Sequence, residues 1–124
     1  MNKVIFLLVA MVLPFASRAS DGRAWTKTDT AFEATFLLTL ALDYGQTRTW
    51  ISNPNVHEVN PILGREPSAG KVRVYFLACA VGHVAVARLL PNPYRRIWQA
   101  VWIGVEGVTV YNNTRLVGGL RLQF

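Results

Sequence analysis

The chain has 124 residues, 13 basic against 7 acidic, for a formal net charge of +6. It is 52% hydrophobic and 16% charged, where soluble domains carry about a quarter charged residues. So much apolar surface excludes a disordered chain, and a single cysteine, Cys79, excludes a disulfide framework or a cysteine-based zinc module.

At the start of the chain, Lys3 supplies a positive charge and Val4 to Ala16 is an apolar run broken only by Pro14. Ser17-Arg18-Ala19 follows, with small residues where a signal peptidase reads. This layout predicts a secretory signal peptide over residues 1–19, leaving residues 20–124 as one domain. A retained first helix is the alternative, but the run reaches only about 20 Å, short of the roughly 30 Å hydrocarbon layer.

Behind a polar lead, Ser20 to Thr30, three apolar stretches predict helices near 31–51, 72–90 and 96–113. The connector Ser52–Gly70 is rich in turn residues, with Pro54, Pro61, Pro67, Gly64 and Gly70. Pro91-Asn92-Pro93 closes the second stretch, because proline lacks an amide and disfavours helix just before itself. Trp50, Tyr75, Trp98 and Tyr111 fall near stretch ends, where amphipathic rings favour a membrane interface. The expectation is an all-α transmembrane bundle of three helices, or four if the first segment is retained. Its place would be the bacterial inner membrane, crossed several times. A β-barrel, suggested by the alternation in Leu120–Phe124, ranks lower because about eight strands would strain the available length.

Polar residues inside these stretches carry most of the information. Thr35, Thr39, Asp43 and Thr47 recur every four residues, with Gln46 in the same arc. In the last helix Gln99, Glu106 and Asn113 recur every seven. Both stripes are expected to turn inward, and Ala78, Gly82 and Ala85 to offer a face for close helix approach. An ionised carboxylate facing lipid is costly, so Asp43 and Glu106 should be neutral, paired or beside water, with Arg88 one candidate partner.

The connector holds His57-Glu58-Val59-Asn60-Pro61. A zinc-protease motif needs a second histidine four residues after the first, and Pro61 occupies that place. No metal site and no cofactor are expected. Cys79 reads as inert packing. The basic residues form no stripe on a soluble face, so anionic lipid headgroups are the expected partners and nucleic acid is not.

Leu42-Asp43, Gln46-Thr47 and then Glu58-x-Asn60-Pro61-Ile62-Leu63-Gly64 resemble a family of small, uncharacterised bacterial multi-pass membrane proteins. Their pattern is an aspartate and a threonine late in one membrane helix, then E-x-N-P opening the next segment. The resemblance covers residues 36–90. It implies a multi-pass helical protein and groups Asp43, Thr47, Glu58, Asn60 and Pro61 as a unit, but it lends no reaction.

Two functional readings stay open. One is a non-enzymatic accessory or interaction subunit, as a homo-oligomer or with a protein partner. The other is a membrane-embedded enzyme or a proton or ion site built on Asp43 and Glu106, with Thr47, His57, Glu58 and Asn60 around it.

Overall fold

A computed structural model of the chain describes residues 24–124; the expected signal peptide, residues 1–19, lies outside them. The described residues form an all-α bundle of three helices, α1 (Lys27–Trp50), α2 (Ala69–Leu89) and α3 (Tyr94–Leu116). No strand occurs among them, and the alternating tail Leu120–Phe124 is irregular, which removes the barrel reading's main support.

The first helix begins four residues before the expected boundary. Thr26 caps it: its hydroxyl accepts from the Asp29 amide at 3.1 Å, while the Asp29 carboxylate accepts from the Thr26 amide at 2.9 Å. This reciprocal box satisfies two amides that a helix start would otherwise leave open. Ser68 caps α2 with a single bond, accepting from the Lys71 amide at 3.2 Å. That helix ends at Leu89, with Leu90 turned to extended backbone before Pro91. At the end of α3, Gly118 takes a φ of 69°, and the Gly119 amide reaches back to the Thr114 carbonyl at 3.0 Å. Only glycine accepts that left-handed turn without steric cost.

α1 is the central element and packs most extensively against α3. Its buried face runs Asp29, Glu33, Phe36, Leu37, Leu40, Tyr44 and Thr47, a stripe at helical period. α2 contributes Val72, Phe76, Ala80, His83 and Ala87. The apolar middle closes with Leu63 of the connector and, from α3, Trp102 and Ile103.

Two sequence expectations about facing are corrected here. Thr35 is exposed and Thr39 half-buried; each hydroxyl donates to its own helix, Thr35 to Ala31 O at 2.8 Å and Thr39 to Phe36 O at 2.8 Å. A threonine that satisfies its hydroxyl this way needs no partner helix, so its spacing does not mark an inward face. Ala78, Gly82 and Ala85 also point outward, and a Cβ built at Gly82 meets nothing within 4 Å. The larger side chains of Val72, Phe76 and His83 fill the interior instead.

Among the described residues, only Ala69–Leu89 is long and apolar enough to cross a membrane by length and composition.

Candidate functional site

The interior holds two polar groups, separated along α1 by Phe36, Leu37 and Leu40. The first gathers at the start of α1, the end of α2 and the start of α3. Glu33 and His83 are both buried, and Glu33 Oε1 lies 2.7 Å from His83 Nδ1. The other carboxylate oxygen of Glu33 accepts from Gln99 Nε2 at 2.8 Å, so one carboxylate joins all three helices. The His83 ring stacks against Phe36 at 3.6 Å between centroids and faces Trp98 at 5.4 Å.

Arg95 lies fully buried beside this carboxylate. Its Nη1 donates to Asp29 Oδ2 and to Ala24 O, each at 2.9 Å, and its Nε donates to Ala87 O at 2.8 Å. Gln99 Nε2 also donates to Asp29 O at 3.1 Å, and Arg96 Nε stands 3.6 Å from Asp29 Oδ1. A buried charge is tolerated when an opposite charge and hydrogen bonds replace water, and Asp29 and Arg95 meet that condition. Arg88 sits over the Trp25 ring at 3.9 Å, a cation–π contact. It therefore belongs to this end of the bundle and is not a partner for Asp43.

The second group contains the residues singled out in the sequence. Asp43 Oδ1 accepts from Asn113 Nδ2 at 2.8 Å. One turn on, Gln46 Nε2 donates to Thr114 Oγ1 at 2.9 Å and to Val110 O at 3.2 Å. Thr47 is buried beside them. Glu58 of the connector and Glu106 of α3 both lie close enough to Asp43 to repel its charge. The buried oxygen Oε2 of Glu106 has no hydrogen-bond partner among the described residues. The Asp43 carboxylate is thus within electrostatic reach of one carboxylate from the connector and one from α3.

Asn60 organises the connector. Its amide donates to Glu58 Oε1 at 2.8 Å, its Oδ1 accepts from the Ile62 amide at 3.0 Å, and its Nδ2 donates to Tyr75 OH at 2.8 Å. Nearby, the Gly64 amide donates to Asn60 O at 3.0 Å with Gly64 at a φ of 78°. The E-x-N-P-x-x-G run is therefore a hydrogen-bonded turn pinned to α2. Lys71 Nζ adds a bond to Leu63 O at 2.7 Å. His57 is exposed and stands on the outer side of this turn.

Of the expected site residues, Asp43 lies within electrostatic reach of both Glu58 and Glu106, Asn60 bonds Glu58, Thr47 is buried, and His57 stays on the surface. Asp29, Glu33, His83 and Arg95 form the buried network that sequence reasoning missed. The available signal was the T-x-x-D box at Thr26–Asp29, which moves Asp29 and Glu33 onto the same helical face as Phe36 and Leu40. No group of three or more His, Cys, Asp or Glu among the described residues is arranged to hold a metal ion. No protein-family model, curated protein or solved structure matches the chain.

Proposed function

We propose that the protein is a small multi-pass membrane bundle acting as a non-enzymatic accessory or interaction subunit. One observation carries the reading: polarity is turned inside out. Asp29, Glu33, His83, Arg95 and Gln99 are buried, while Leu38, Val74, Leu77, Val81, Ile97, Val101 and Val108 stand exposed along the three helices. Water would favour the opposite arrangement, and lipid favours this one. The resemblance to small bacterial membrane proteins points the same way. Placement in an inner membrane and contact of the basic edges with anionic headgroups belong to this proposal, as does assembly with itself or a partner.

Alkaline carbonate extraction of membranes from expressing cells tests the reading. Retention of the protein in the membrane pellet is expected; release as a soluble monomer would remove it. A subunit of this kind should also tolerate Asp43→Asn combined with Glu106→Gln, with any phenotype of a deletion strain complemented as before.

The electrostatic reach of Asp43 to both Glu58 and Glu106 favours a second reading, a proton or ion site inside the membrane. Under it the same double substitution abolishes complementation while the protein remains folded and inserted.

A further inference from the structure

The side-chain bonds between helices give the bundle two distinct ends. Asp29 with Arg95 and Glu33 with His83 bring together the start of α1, the end of α2 and the start of α3. At the other end, Gln46 with Thr114 joins the end of α1 to the end of α3. The Thr49 hydroxyl, 3.5 Å from Arg121 O, brings the tail there, and Lys71 Nζ on Leu63 O ties the connector to the start of α2.

In the sequence the two ends are almost evenly basic. Lys27, Arg88, Arg95 and Arg96 belong to the first, with Arg23 just before them in the chain. Arg48, Arg65, Lys71, Arg73, Arg115 and Arg121 belong to the second. The fold breaks this balance. At the first end Arg95 is fully buried against Asp29, and Arg88 lies half-buried over the Trp25 ring. Lys27 and Arg96 are exposed, and Arg96 Nε stands 3.6 Å from Asp29 Oδ1. At the second end Arg65, Lys71, Arg73, Arg115 and Arg121 are all exposed. Glu66 is the only exposed acidic side chain among the described residues.

A cation must reach the surface to meet a headgroup phosphate. Lysines and arginines close to the ends of membrane crossings favour the anionic cytoplasmic leaflet, and acidic residues count for little against them. We propose that the second end is the surface that meets the anionic phospholipid headgroups of the cytoplasmic leaflet, with the start of α1 on the opposite side of the membrane. The inference rests on the membrane-bundle reading and adds its orientation. The signal peptide expected over residues 1–19 would deliver the same side.

The experiment uses full-length protein with Cys79→Ala and either Thr28→Cys or Asn53→Cys, both at exposed positions near opposite ends. Each variant is checked for retention in the membrane pellet after carbonate extraction, and bacterial spheroplasts are then treated with a membrane-impermeant maleimide. Thr28→Cys should label before lysis, and Asn53→Cys should label roughly tenfold less until the membrane is broken. Adding Arg65→Gln, Arg73→Gln and Arg121→Gln should raise labelling of Asn53→Cys before lysis severalfold, because three of the five exposed cations are gone. Protection of Thr28→Cys, equal labelling of both positions before lysis, or labelling unmoved by the three substitutions overturns the proposal. Release of the protein by carbonate removes the membrane reading itself, so the two failures are told apart.

Discussion

The Glu33 carboxylate and the His83 imidazole, 50 positions apart in the chain, meet at 2.7 Å inside the bundle. Both are buried, and Gln99 holds the second oxygen of the same carboxylate. The three helices are therefore registered by one acidic side chain. Glu33→Ala leaves His83 Nδ1 without its partner and Gln99 Nε2 with only the Asp29 carbonyl, and a buried group that loses a partner this way costs about 1–3 kcal/mol. Reversible denaturation in detergent should show a loss of roughly 2–4 kcal/mol, with Glu33→Gln losing less because it keeps one amide oxygen as acceptor. An unchanged midpoint in Glu33→Ala would refute the registering role.

Asp29 and Arg95 make a stronger test of buried charge. Removing one member of such a pair leaves an uncompensated charge and costs about 3–5 kcal/mol. Arg95→Met should therefore destabilise far more than Asp29→Asn and Arg95→Met together. The same denaturation experiment, run as a double-mutant cycle, measures the difference. Additive losses would show that the two residues do not act as a pair.

Gly45 sits where the tail crosses α1. The Gln123 amide donates to the Gly45 carbonyl at 3.0 Å, and a Cβ at Gly45 would lie 3.1 Å from Leu122 Cδ2 and from Phe124 Cε1. Gly45→Val should push the tail off the helix. Overpacking of this kind costs about 1–3 kcal/mol, so exchange of the Gln123 amide should rise about tenfold or more. Hydrogen exchange read by NMR checks it, and an unaltered Gln123 would contradict the packing.

The Asn60 side chain makes two bonds in the connector turn, accepting from the Ile62 amide and donating to Tyr75 OH. Asn60→Ala should cost about 1–2 kcal/mol and expose the segment 52–67 to protease, whereas Tyr75→Phe should cost about 1 kcal/mol. Limited proteolysis at the connector separates the two variants. Equal cleavage rates in both would mean that the turn is held by something other than the asparagine.

Helix positions were legible in the sequence because they follow from local rules. Apolar runs of sufficient length, the Pro91–Pro93 stop and the proline-rich connector set three rods within a few residues of where they lie. Asp43 and Glu106 stood out because they interrupt apolar stretches, whereas the fully buried acids, Asp29 and Glu33, did not. The direction in which each polar group faces was not legible. Thr39 and Asp43 stand on one stripe by spacing, but a hydroxyl can bond its own helix and a carboxylate cannot, so only Asp43 reaches across to Asn113.

Local sequence thus determined the all-α class, the approximate helix ends and the turn-rich connector between the first two helices, because each depends on residues a few positions apart. Tertiary structure alone decided which charges meet. Glu33 with His83, Asp29 with Arg95 and Gln46 with Thr114 are pairings over 50, 66 and 68 positions. They exist because three packed helices leave a buried carboxylate or amide no water, only each other.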